Sequence, residues 1–142
     1  KDSSPIEINV YGSLAGTLTD HPAIVRYPRY KEVTEPYREN GIVLITTAQG
    51  TGIQIKAIEA LACGRAIIAR KGAMRGLPEE EKGWLEYDHP AEMLSIVNQL
   101  KSDNAKRHDL MNRARWYYEN YLNSENILKT LSDSYMELIS KH

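Results

Sequence analysis

GTGIQIKAIEALACG, residues Gly50 to Gly64, is the stretch on which the reading of this chain turns. Two glycines flanking Thr51 admit backbone conformations closed to other residues and leave no side chain between the peptide N–H groups and a ligand. The residues that follow read as a helix ending at Gly64. Its N-terminus, where the first N–H groups lack partners and the peptide dipoles turn their positive end outward, suits an anion. A phosphorylated ligand is the implied guest.

Working outward, the apolar run Ile42 to Ile45 precedes this loop and helix, and Ala66 to Ala69 follows them. Strands that are continuously apolar are usually buried on both faces, as in a parallel sheet covered by helices. The intervening helix, about eleven residues by its pattern, is long enough for a parallel crossover. The unit is therefore βαβ. Upstream, Ile6 to Tyr11 alternates apolar and polar residues as a strand does, and Ala23 to Tyr27 reads as a second short strand stopped by Pro28. Glu32 to Glu39 can form a short helix with Pro36 near its start, closed by Asn40-Gly41.

Downstream, Arg70 to Pro78 is a loop by composition and Trp84 to Tyr87 an edge strand. Three helices follow. Ala91 to Leu100 has Asp88 and Pro90 as start signals, Asp103 caps a helix running to about Tyr121, and Asn123 or Ser124 caps the last. That last helix carries the stripe Ile127, Leu128, Leu131, Tyr135, Leu138 and Ile139. Trp116, Tyr117, Tyr118 and Tyr121 are too dense for one helix face, so they either pack in the core or cover an interface.

The 142 residues, 42% of them hydrophobic, suffice for one compact domain, residues 1–142, with its own core. A formal net charge of -1 offers no concentrated basic surface, so nucleic acid is not an expected partner. The longest apolar run falls far short of the roughly 20 residues that span a bilayer, so no transmembrane segment is expected. Cys63 is the sole cysteine, which excludes an internal disulfide, and its apolar setting reads as a small buried hydrophobe. The four histidines, His21, His89, His108 and His142, lack ligand spacing, and no metal is expected.

Chemistry concentrates on the central helix. Gly52, Lys56, Glu59 and Cys63 recur at helical spacing and share one stripe, with Ile55, Ile58, Leu61 and Ala62 marking the other side. At about 1.5 Å rise per residue, Lys56 lies about 6 Å and Glu59 about 10 Å along the axis from Gly52. Phosphates at the loop, an ammonium beside them and a carboxylate one step further match a diphosphate joined to a ribose. The alternative is a solvated helix pair. Against it, Lys preceding Glu is the weaker orientation, and a cation near the first turn opposes the helix dipole. GTGIQI also begins like a dinucleotide fingerprint, but Ile55 stands at its third glycine. No GxxxxGK run occurs, so a P-loop is excluded. Arg75, in the loop GAMRG at the carboxyl end of the fourth strand, is placed to reach a phosphate or simply to be solvated.

The run VLITTAQGTGIQIKAIEALACGRAIIARKGAMRGLP, residues 43–78, resembles the donor-binding segment of GT-B glycosyltransferases, particularly the group 1 or family 4 enzymes. Their pattern there is GTG-I-x-x-K-x-x-E-A-L-A-x-G-x-P-V-V-A followed by a small-residue and RGL loop. The resemblance implies an α/β fold: a Rossmann-like parallel sheet sandwiched by helices, the C-terminal half of GT-B, with extra C-terminal helices. It implies a UDP- or GDP-sugar donor, passed to a glycan or lipid-linked acceptor with retention, as in polysaccharide biosynthesis. Gly50, Thr51 and Gly52 would then lie at the diphosphate with Ile53 also binding the donor, Lys56 would stabilise the diphosphate charge, and Glu59 would bond the ribose hydroxyls. Tyr27, Pro28 and Tyr30 fall where such enzymes place base contacts, so Tyr27 can stack on a nucleobase or simply pack. No cofactor or metal is implied.

Departures from the pattern define the alternatives. Thr51 stands where many members carry a further glutamate, Thr46 replaces the usual Pro after the strand, and Ala66 that of the GxPVV turn. The chain also resembles only the donor domain, without its first strand and helix and without the acceptor-binding Rossmann-like domain. The expectation is a fragment inactive by itself, in a cytoplasmic hexosyltransferase peripheral at the inner membrane face. A non-catalytic nucleotide-sugar-binding or regulatory module is the alternative. A sugar-nucleotide epimerase fits less well, because those enzymes lack the GTG-to-EALA run.

Overall fold

A computed structural model of the chain describes residues 5–38, 41–47 and 54–140. Gly50, Thr51, Gly52 and Ile53, expected to bind the donor, lie outside the described residues, as does Asn40. The elements run β1 (Ile8–Tyr11), a 3-10 turn (Ser13–Gly16), β2 (Ile24–Tyr27), α1 (Glu35–Arg38), β3 (Ile42–Ile45), α2 (Ile55–Ala62), β4 (Ala66–Arg70), β5 (Trp84–Tyr87), α3 (Pro90–Ser102), α4 (Asn104–Tyr117), a π-helical turn (Tyr118–Leu122) and α5 (Ser124–Ser140). Among the described residues no helix is long and apolar enough to cross a membrane.

All strand pairs among the described residues are parallel. β1 and β2 form a two-stranded sheet in the register Ile8 to Ile24 and Tyr11 to Tyr27. A three-stranded sheet has the order β3-β4-β5, with Ile42 opposite Ala66 and Ile67 opposite Trp84. The expected βαβ unit is thus β3-α2-β4, and β5 is an edge strand. In β4, Ala66 to Ala69 are fully buried and alternate between two cores as strand geometry requires. Ile67 and Ala69 meet α2, Trp84 and Tyr117 on one face, while Ala66 and Ile68 meet Val97, Leu100 and Leu110 on the other. Helices covering both faces explain why this strand carries no polar residue before Arg70.

The crossover helix is shorter than its pattern suggests, eight residues rather than about eleven. It is stopped by Gly64 at φ 59, which lets the N–H groups of Gly64 and Arg65 turn back onto the carbonyls of Leu61 and Ala60. Its buried face is also displaced. Ala57, Ala60 and Leu61 pack inward, whereas Ile55, expected on the apolar side, is 70% exposed. Two residues along a helix amount to about 200°, so burying Ala57 sends Ile55 outward.

Asp103 caps α4 as expected, accepting from the N–H of Lys106. Successive residues of a helix point about 100° apart, which divides the aromatic pair at the end of α4. Tyr117 is buried against Trp84, with ring centroids 5.0 Å apart, and Trp116 stays exposed. The cluster is therefore core and surface at once. Gly83 permits the close seating of β5 on α4, because a Cβ there would stand 2.9 Å from the Cα of Ala114.

Candidate functional site

With the small residues of α2 turned into the core, Lys56 and Glu59 are left on its outer side, where the carboxyl end of β2 and the short helix α1 meet it. Lys56 Nζ lies 2.6 Å from the hydroxyl of Tyr30 and 3.3 Å from Glu59 Oε2. The ammonium is 5.2 Å from the Tyr30 ring centroid, so it sits off the hydroxyl end and not over the ring face. The contact is a hydrogen bond rather than a cation–π interaction. Tyr37, from α1, donates its hydroxyl to the same Glu59 oxygen at 2.8 Å. Tyr30, Lys56, Glu59 and Tyr37 thus form one continuous polar chain across three segments.

Burial grades along this chain. The Lys56 side chain is 54% exposed and that of Glu59 18%, while Tyr37 is buried with its ring in the core. Burial, reinforced by the Glu59 carboxylate, pushes the Tyr37 phenol far above the ordinary range, so it remains a donor. The bond to Tyr30 raises Lys56, with Glu59 adding to it against a smaller opposing effect of burial, so the side chain stays an ammonium. Among the described residues, two of its three N–H donors are engaged. Both contacts to Glu59 use Oε2, and among the described residues Oε1 makes no such bond.

Aromatic rings continue the site beyond Lys56. Tyr11 and Tyr27, opposite each other at the ends of β1 and β2, stack with centroids 4.6 Å apart at 10°. Tyr30 meets Tyr11 edge-on at 6.0 Å. Tyr27 is therefore linked to Lys56 through Tyr11 and Tyr30. An open recess beside them is lined by Arg29, Tyr30, Lys31 and Glu35.

Of the residues singled out in the sequence, Lys56, Glu59, Tyr27 and Tyr30 are thus brought into one region. Arg75 stands exposed on the turn after β4, a turn held to the α2 side of the sheet by Ala73, Met74 and Leu77. Gln54 caps α2 from an extended conformation, and its amide reaches back to the Thr47 carbonyl at 3.1 Å. Sequence reading missed two members. Tyr37 stands 22 residues from Glu59, with a whole strand between them, so no periodicity joins them. Tyr11 had a legible signal, because two parallel strands, INVY and IVRY, each end in tyrosine before a breaker, Gly12 or Pro28.

The chain can be set beside known proteins once this geometry is in view. A family model described as glycosyl transferase-like matches residues 2–133. A search of curated proteins finds no match.

Proposed function

The chain belongs to the glycosyl transferase-like family, and on that premise we propose that it is the donor-binding domain of a hexosyltransferase. The donor is a UDP- or GDP-sugar, and the sugar passes with retention to a glycan or lipid-linked acceptor, in cytoplasmic polysaccharide synthesis at the inner membrane face. An acceptor-binding Rossmann-like domain of the same protein completes the active site, and without it the donor domain does not turn over. The observation that carries this reading is the Glu59 carboxylate, held through Oε2 by both Tyr37 and Lys56; in this reading its Oε1, without such a bond among the described residues, accepts from ribose hydroxyls.

In this reading the third N–H of Lys56 meets the diphosphate. The departing nucleoside diphosphate carries negative charge that a preorganised ammonium and the α2 N-terminus stabilise without a metal, a contribution that can be a large share of catalysis. Gly50, Thr51, Gly52 and Ile53 supply backbone donors next to it, Arg75 a further cation, and the Tyr11–Tyr27 stack a platform for the base. Glu59→Ala in the intact gene product is expected to weaken UDP or GDP binding, read by calorimetry, and to lower sugar transfer. Unchanged affinity and turnover would remove Glu59 from the site.

Thr51, where many related enzymes carry a glutamate, favours a second reading: a module that binds a nucleotide sugar without transferring it. The two separate when binding is found and transfer by the intact gene product is absent.

A further inference from the structure

Resting on the assignment of Glu59 to the ribose, we propose that Tyr37 is its positioning residue. Its buried hydroxyl holds Glu59 Oε2 so that Oε1 faces the ribose hydroxyls of a nucleoside diphosphate.

The Tyr37 ring belongs to the core, with Ile45, Ala57, Ala60 and Leu61 in the same cluster, and only 4% of the residue is exposed. A ring held this way cannot follow a flexible partner; the partner must come to it. Its hydroxyl has two acceptors within reach, Glu59 Oε2 at 2.8 Å and the Lys56 carbonyl at 3.4 Å. A phenol has one proton to give, and the shorter bond to a charged oxygen takes it. Glu59 is otherwise a side chain with several free torsions, and fixing it before the ligand arrives removes an ordering cost from binding. Burial keeps the phenol protonated, so the restraint persists across the working pH range. Tyr37 touches no ligand in this account and acts only through Glu59.

The test uses calorimetry on the intact gene product with UDP, GDP and their 2′,3′-dideoxy counterparts. Wild-type protein is expected to prefer the ribonucleotide. Tyr37→Phe keeps the ring and removes the donor, and should cut ribonucleotide affinity about tenfold while leaving the dideoxy nucleotide unchanged. Installing 4-aminophenylalanine at position 37, which keeps a donor on the ring, should retain the wild-type ratio. Loss of that ratio in the amino variant overturns the proposal even if the phenylalanine variant fails to fold. An equal loss for both sugars in Tyr37→Phe marks a merely structural role and also overturns it. If Tyr37→Phe behaves as wild type while Glu59→Ala loses the ribose preference, Tyr37 is dismissed and the site stands. If Glu59→Ala keeps the preference, or neither nucleotide binds, the site assignment falls and this inference with it.

Discussion

Replacing Lys56 by methionine separates the phosphate role proposed for this residue from its structural one. The substitution keeps an unbranched apolar stem on α2 and removes the charge. What the fold loses is small: the Lys56 side chain is 54% exposed, and an exposed pair such as Lys56–Glu59 contributes no more than about 1 kcal/mol. Glu59 keeps its bond from Tyr37, so it is not left without a partner. The ligand loses more. A single charge about 4 Å from a phosphate oxygen interacts by about 4 kcal/mol at an effective dielectric of 20. Desolvation reduces this to the roughly 1.5–3 kcal/mol typical of a hydrogen bond to a charged group. Affinity for UDP or GDP should therefore fall roughly ten- to a hundredfold, at 1.4 kcal/mol per factor of about ten. The free nucleosides, uridine and guanosine, should bind Lys56→Met as they bind wild type. Calorimetry at fixed ionic strength reads both, and a thermal melt confirms an intact fold. An equal loss for nucleoside and diphosphate, or no loss for either, would refute the ordering of phosphate before ribose along α2.

Two further outcomes follow from the core. Gly83→Ala should destabilise the fold by about 1–3 kcal/mol in urea unfolding, because the added methyl meets the α4 backbone at 2.9 Å and backbone cannot swing aside as a side chain can. Wild-type stability would show that α4 shifts freely off β5. In an alkaline titration followed by tyrosinate absorbance, Tyr37 and Tyr117 should stay protonated past about pH 10, the ordinary phenol range, since burial raises both. Above that pH the unfolded chain loses protons that the folded phenols retain, so stability should fall as pH rises. Ionisation of all nine tyrosines together in still-folded protein would contradict the burial of these two.

Features set by local chemistry were legible in the sequence. Continuous apolar runs marked β3 and β4 as strands covered on both faces, Gly64 marked the end of α2, and Asp103 the start of α4. Features set by which neighbour arrives were not. The inward face of α2 is Ala57, Ala60 and Leu61, two of its three residues small enough for close packing on the sheet, and the bulkier Ile55 is turned away from it. Hydrophobicity alone ranks Ile55 above Ala57 for burial; close packing reverses the order. The same division runs through the site. Lys56 and Glu59 share one helix, and their spacing alone puts them side by side. Tyr37 reaches Glu59 only because α1 and α2 flank the same strand, which depends on the assembled fold.

That assembly resolves an apparent contradiction in α2. A lysine in the first turn and a glutamate three residues later are arranged against the helix dipole and in the weaker order for a pair. The two nevertheless meet at 3.3 Å, which by itself would suit an ordinary surface contact. Each, however, is also held from outside the helix, Lys56 by the Tyr30 hydroxyl and Glu59 by Tyr37. A surface pair kept only for helix stability needs neither tyrosine, and one of them has its ring in the core. Local preference is overridden where tertiary contacts fix charged groups in position, and such conflicts concentrate at functional sites. The proposed ligand is therefore indicated less by the presence of Lys56 and Glu59 than by the two phenols that hold them.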